Sequence, residues 1–386
     1  MVNDSVWPSF RLERVRGNSV IFGLGCIADV GAEWPLRDAK RILLVCSDRM
    51  ARSETGRRVI QFLGTPRVTL FTGVGEHESS TAVEGGLRAA QGQGIDLVVS
   101  LGGGSAIGLG KALSLRLDGA IDDLQREPVP HVAIPTTYSG SEMTFSYGIT
   151  DPREHRKAVF RDERALPALA VYDPELTYNL PARVTAGSGM NALAHCVEVL
   201  LLSPANPECR AVAVEGIRRI TSSLPRCIQS PHDPGARSGM FVGSLLGGRA
   251  LFYSGSALHH ALCQSLGGKT GVSHGDANAI VLPHVLRMNA EGGVTSLLDV
   301  ADALHTLEPG DDPRAAGRRA ASYLAEFAGR LGLPGSLKEL GVPREVLPAV
   351  AEEVFARPPA HRNPRALDGS GAILAVLEAA WEGGRL

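Results

Sequence analysis

The sequence predicts an α/β fold: an N-terminal doubly wound parallel-sheet domain of dinucleotide-binding type, followed by an all-helical domain. Three observations predict it. Short apolar runs alternate with helical segments as far as Tyr172, the pattern of a parallel sheet wound with helices. One of those runs, Leu97 to Leu101, passes straight into Gly102-Gly103-Gly104-Ser105 and then a helical stretch through Ile107 and Leu109. Beyond about Leu176 the strand signals thin out and long helical patterns take over.

In order, the short apolar pieces of residues 11–30 close on the turn Phe22-Gly23-Leu24-Gly25. Ile42 to Cys46 reads as a buried parallel strand, with Ser47-Asp48 at its carboxyl end. Arg49 to Leu63 is a helix, Val68 to Phe71 a third strand and Thr81 to Gln93 another helix. The glycine turn follows the next strand. Glycine permits a sharp turn and close approach of backbone to a ligand, and a helix beginning there presents unpaired N–H groups, so the turn is a phosphate cradle. His131 to Pro135 is a fifth strand, entering the small-residue loop Thr136-Thr137-Tyr138-Ser139-Gly140-Ser141-Glu142. Ligands of such sheets lie at the carboxyl ends of strands, where Asp48, the glycines and this loop all fall. The polar segment Asp151 to Glu163, with Lys157 in a loop, interrupts the pattern before a last strand, Ala168 to Tyr172. A boundary near Pro174 gives domains 1–174 and 175–386. Helices follow over Ala186–Leu202, Ala211–Ser222, Ser238–Leu251 and Leu258–Leu266.

The 386 residues, 44% of them apolar, suffice for two domains, and a net charge of −2 without a basic run argues against a nucleic-acid or anionic-membrane partner. No apolar span reaches membrane length, and the opening Met-Val-Asn-Asp-Ser-Val-Trp has no signal-peptide pattern. Cys26, Cys46, Cys196, Cys209, Cys227 and Cys263 are scattered without a CxxC pair. They read as buried free thiols of a cytoplasmic enzyme.

In the helical half, Asn191 and His195 are four apart and share one helix face. His260 follows far along the chain, with His259 beside it, and then His274-Gly275 in a loop after Gly267-Gly268, with His284 nearby. Asn191, His195, His260 and His274 could close a site for zinc or iron, or stand as separate hydrogen-bonded histidines lining a cleft. Asn191 is a poor substitute for a carboxylate ligand. Gln264, one turn after His260, could orient a ligand but do no acid–base work. Tyr138 is either a core aromatic or a residue beside the ligand, and its loop favours the latter.

These stretches together resemble the iron-containing (group III) alcohol dehydrogenase family over nearly the full length. The matching motifs are Gly102 to Ser105, Ile134 to Glu142, Asp173 to Leu176, Gly189 to Glu198, His274 to His284 and Asn363-Pro364-Arg365. Within the family the chain looks most like the maleylacetate reductases. The loop Pro135 to Thr144, Ala205-Asn206-Pro207 and Leu258 to Cys263 read like theirs, and Asn191 stands where the metal-dependent alcohol dehydrogenases carry Asp. The resemblance implies hydride transfer from NAD(H) to an unsaturated keto acid, giving 3-oxoadipate from maleylacetate or acting on a related carboxylic acid, in a homodimer. It implies a catalytic set of His195, His259, His260, His274, Tyr138 and Gln264. The implied cofactor set is Asp48, Gly102, Gly103, Gly104, Ser105, Thr136, Thr137, Ser141, Lys157 and Leu176. Asp48 would bond the adenosine ribose and repel a 2′-phosphate, favouring NAD over NADP.

Two departures stand out. Gln264 replaces a usual histidine thought to assist proton transfer. His274 to Asn278 follows the alcohol dehydrogenase pattern rather than the reductases' His-Ala-Glu-Thr-His. The alternatives are a metal-dependent alcohol dehydrogenase and a non-redox lyase, cyclase or nucleotide-binding protein on the same scaffold.

Overall fold

The computed structural model describes residues 10–12, 18–75, 79–151, 156–203 and 206–384. Ala205 and the opening seven residues, to which expectations were attached above, lie outside them. The contacts divide the chain into two compact units, one ending at Leu180 and one beginning at Pro181.

The first unit contains β1 (Phe10–Leu12), β2 (Ser19–Phe22), β3 (Ile42–Val45), α1 (Asp48–Arg52), α2 (Glu54–Leu63), β4 (Val68–Phe71), α3 (Ser80–Ala90), β5 (Leu97–Gly102), α4 (Gly104–Arg116), β6 (His131–Pro135), β7 (Ser146–Asp151), β8 (Arg156–Arg161) and β9 (Leu169–Tyr172). Seven strands form one sheet in the order β1-β2-β9-β6-β5-β3-β4. Every neighbouring pair is parallel except β1 with β2. The period-2 alternation of strand side chains assigns the two faces. Leu44, Val99 and Ile134 pack with Val59 and Leu63 of α2. Leu43, Val45 and Val98 pack with Val83 of α3 and Leu109 and Leu113 of α4. Helices thus cover both faces, which is why β3, β5 and β6 read as unbroken apolar runs.

Three local expectations change. Arg49 to Leu63 is two helices, because the Ser53 hydroxyl accepts from Gly56 N at 3.0 Å and caps a new start. Lys157 lies on β8, paired with Thr150 of β7, and not in a loop. The segment after Pro174 stays with the sheet unit. The Asp173 carboxylate accepts from Gly25 N and Ile27 N at 3.0 and 3.2 Å, and Glu175 pairs with Arg58 at 3.0 Å. The division therefore falls six residues beyond Pro174.

Lys111 of α4 is fully buried, and its Nζ donates to Ser141 O, Thr144 Oγ1 and Ser146 O at 2.7, 3.2 and 2.9 Å. A lysine is tolerated there because oxygen partners replace its hydration. It ties the loop after β6 to the helix after β5.

The second unit holds α5 (Ala182–Leu201), α6 (Pro207–Gln229), α7 (Pro234–Ser254), α8 (Leu258–Thr270), α9 (His274–Glu291), α10 (Leu297–Ala303), α11 (Pro313–Arg330), α12 (Leu347–Phe355) and α13 (Ser370–Glu382). It has no strand among the described residues. Side-chain caps set several starts. Asn206 accepts from Glu208 N, Asp233 from Ala236 N and Ser273 from Asp276 N. The Ser273 cap corrects one expectation: His274 is the first residue of α9, not part of a loop, and Gly267-Gly268 are inside α8. A Cβ on Gly275 would lie 2.7 Å from Gly187 Cα, so these glycines let α5 and α9 touch backbone to backbone. Among the described residues no helix is long and apolar enough to cross a membrane.

Candidate active site

In the sheet unit the candidate site is mostly backbone. β5 ends at Gly102, whose φ of +149° suits only glycine. A Cβ on Gly103 would lie 3.0 Å from Thr137 Oγ1 and 3.1 Å from its Cγ2. No side chain caps α4 at Gly103, so the positive end of this 13-residue helix is left to an anion. β3, β5 and β6 are adjacent and parallel. Asp48, the triple glycine with Ser105, and Thr136 to Ser141 therefore share the carboxyl edge of the sheet. Asp48 is exposed at the start of α1 and pairs with Arg52 at 3.0 Å.

Not all of the expected cofactor set is available there. Leu176 is buried in the core with Ile27 and Val171, and Thr136 is buried with its N–H on Gly102 O at 2.9 Å. Tyr138, expected beside the ligand, is fully buried, its hydroxyl 3.5 Å from Thr177 Oγ1. Its burial favours the core reading of Tyr138 over a place beside the ligand.

In the helical unit the site is made of side chains. The His195 and His260 rings stack with centroids 4.7 Å apart, the His259 and His260 rings meet edge to face at 5.0 Å, and His274 lies 6.0 Å from His260. So α5, α8 and the first residue of α9 bring four of the predicted histidines together. His195, His259 and His260 are buried, and His274 is exposed. His284, ten residues further along α9, is about 15 Å from His274 by helix rise and is not part of the group.

Glu198, which carried no assigned role in the sequence, organises this cluster. It is 2% exposed. Its Oε2 accepts from His260 Nδ1 at 2.8 Å and from Ala257 N at 3.0 Å, and its Oε1 from His260 N at 3.3 Å. The signal was available: Glu198 is an acid on an apolar helix, three residues after His195 and so on its face. Burial alone would raise the Glu198 pKa, but the His260 charge and hydrogen bond outweigh it and hold the carboxyl below its ordinary range. Burial and His260 push His259 down to about 3. Burial, then the neighbouring His260, His274 and His259, push His195 well below its usual value. The Glu198 carboxylate fixes the orientation of the His260 ring, with Nδ1–H turned toward it.

With its Nδ1 committed to Glu198, His260 has Nε2 left over, and neither that atom nor His195 Nδ1 has a hydrogen-bond partner. Two unsatisfied buried imidazole nitrogens on stacked rings offer a divalent cation a place, with Glu198 as the outer carboxylate behind a ligand histidine, but no anionic donor to hold it tightly. Glu198, His259 and His260 also place one donor atom each within 4.8 Å of one another. Two of those atoms are already used on each other. Asn191 is buried on α5, one turn before His195, so the expected ligand set carries no anionic donor. Gln264 is not a proton carrier in waiting: its Oε1 accepts from Arg357 Nη2 at 3.1 Å.

A parallel sheet with a glycine turn at its carboxyl edge, and a helical unit with a buried histidine cluster, are the parts of a nucleotide-dependent enzyme, and its relatives make it an NAD(P)H-dependent oxidoreductase. The family profile described as iron-containing alcohol dehydrogenase matches residues 17–174, and that of the Fe-containing alcohol dehydrogenase family, C-terminal, matches residues 185–381. The chain belongs to the iron-containing alcohol dehydrogenase family. It is 36% identical over 367 residues to a maleylacetate reductase of Burkholderia cepacia, covering 95% of this chain and 96% of that one. Among solved structures it resembles a maleylacetate reductase from Agrobacterium tumefaciens, with a TM-score of 0.81 and 33% identity over 98% of this chain and 100% of that one. It also resembles a 1,3-propanediol oxidoreductase, with a TM-score of 0.88 and 29% identity over 98% and 100%. The family implies a nicotinamide dinucleotide and a divalent metal for this scaffold.

Proposed function

We propose that this protein uses NADH to reduce the carbon–carbon double bond of an unsaturated keto acid, maleylacetate to 3-oxoadipate. The observation that carries the reading is the donor set: three histidines and an amide, with the only carboxylate of the cluster turned behind His260. Such a set is weak for holding a metal and well suited to meeting negative charge. The relatives that carry the name maleylacetate reductase support the substrate.

A bound nicotinamide would supply the hydride, to the alkene carbon β to the ketone. The electron pair moves to the ketone oxygen, which becomes an enolate. His260, held through Nδ1 by Glu198, turns its remaining nitrogen, Nε2, to that oxygen, and a proton carried there would be donated to it. His274, being exposed, can relay a proton from solvent to the carbon beside the carbonyl. His195 and His259, held neutral by burial, shape and dry the pocket. A divalent iron or zinc on His195, His260 and His274 would supply Lewis-acid stabilisation of the same oxygen.

The adenosine end is assigned to Asp48, whose charge disfavours a 2′-phosphate and so favours NAD over NADP. Lys157, Ser141 and Thr137 remain proposed cofactor contacts, and a homodimer the proposed assembly.

The test is NADH oxidation by purified, metal-assayed enzyme with maleylacetate, with and without chelator. Fast turnover that ignores the chelator is expected. Loss of turnover on chelation, restored by iron or zinc, would transfer the charge-stabilising role to the metal. No turnover in protein that binds NADH would remove maleylacetate as substrate.

A further inference from the structure

A keto-dicarboxylate needs a cationic partner for a carboxylate, and the histidine cluster, assigned to the carbonyl oxygen, leaves that role open. The helical unit supplies a candidate on the same face of α8 as His260. Gln264 is four residues on, so its Cβ lies about 6 Å from that of His260. Arg357, just past the end of α12, reaches it with Nη2 at 3.1 Å from Gln264 Oε1. The chemistry of this contact is fixed: a guanidinium has no acceptor, so the amide oxygen must face it. Gln264 then turns its NH2 group away from Arg357. The amide oxygen is spent on Nη2, and the other N–H groups of the guanidinium are left for a carboxylate with its two oxygens.

The charge is also in surplus. Glu353 pairs with Lys269 at 3.0 Å, while its other oxygen is 3.9 Å from Arg357 Nη1. Two cations share one carboxylate, and the better geometry belongs to the lysine. Arg357 is half-buried, its side chain 27% exposed, so its charge is neither screened by full exposure nor neutralised by a tight ion pair.

We propose that Arg357, steadied by Gln264, is the substrate-specificity residue that grips a carboxylate of the keto acid while His260 meets its carbonyl oxygen. The glutamine is then a gain of function at this position. A histidine there would repel the guanidinium whenever it was protonated, whereas the amide oxygen accepts from it at every pH. The proposal rests on the reading that the substrate is a carboxylated keto acid.

The test uses the full-length enzyme, Arg357→Met and Gln264→Leu, with circular dichroism to show that each variant is folded. With maleylacetate and NADH, Arg357→Met is expected to raise KM on the order of 100-fold with a much smaller change in kcat. Gln264→Leu is expected to raise KM roughly 10-fold, because the arginine is released toward Glu353. Arg357→Lys, which keeps the charge and loses the fork, should fall between wild type and methionine. A loss confined to kcat, or a KM unchanged in Arg357→Met, would overturn the role of Arg357 and leave the reductase reading intact. Calorimetric binding of 3-oxoadipate to the NADH complex covers the case without turnover. Binding that weakens in Arg357→Met supports the carboxylate grip by itself, binding equal to wild type refutes it, and a wild-type enzyme that binds no dicarboxylate overturns both readings together.

Discussion

The sheet unit and the helical unit build their ligand-facing surfaces from different materials. In the sheet unit the surface is main chain: a glycine turn, a helix start without a side-chain cap, and a loop fastened from beneath. In the helical unit it is side chains, the histidines that α5, α8 and α9 bring together around Glu198. A backbone surface recognises phosphate in any substrate context, so it suits a cofactor. A side-chain surface can be retuned one residue at a time, so it is where substrate choice resides.

That division makes predictions that can break it. The largest effect belongs to the helical unit. His260→Ala should lower kcat on the order of 10³-fold while leaving the NADH dissociation constant, read by fluorescence titration, near wild type. A parallel loss of NADH affinity would mean that the two surfaces are not separable. The converse variant, Gly103→Val, brings a branched side chain against Thr137, which a Cβ alone would approach to 3.0 Å. NADH should bind roughly 30-fold more weakly, with kcat at saturating NADH largely kept. Equal binding would remove the glycine turn from the cofactor site.

The smallest effect distinguishes the units by acid. Burial lowers His131 of the sheet unit to about 3. In the helical unit it lowers His259 to about 3, His284 to about 4 and His195 well below its usual value. Each of these folded-state values lies below that of the unfolded chain, near 6.5. The neutral ring therefore favours the fold above pH 6.5, and stability is lost as pH falls below it. For a fully buried ring such as His131 or His259 the loss is about 2 kcal/mol by pH 5. With three depressed histidines against one among the described residues, the helical unit should lose hydrogen-exchange protection first on acidification. Equal loss in both units would show that other groups dominate.

What was legible in the sequence follows the same divide. β3, β5 and β6 were readable because strands buried on both faces are continuous apolar runs, and the turn at Gly102 because glycine is required by the backbone itself. Helix ends were read short: α6 was expected from Ala211, whereas Asn206 caps it and Pro207 opens it. The histidines were nameable, but Glu198 was hidden in an apolar helix and Arg357 lies 93 residues from the glutamine it holds. A contact at that separation leaves no periodic trace. Tyr138 was ambiguous for a different reason: a tyrosine beside a ligand and a tyrosine buried in the core have the same loop context.

The buried Lys111 has a consequence for the entropy of binding. A glycine turn and a small-residue loop, left to themselves, would be two floppy segments that a nucleotide had to order. Pinned to one ammonium group through Ser141, Thr144 and Ser146, the loop is joined to the helix that follows the turn. The surface is then rigid before the cofactor arrives, and little of the contact energy is consumed in freezing it.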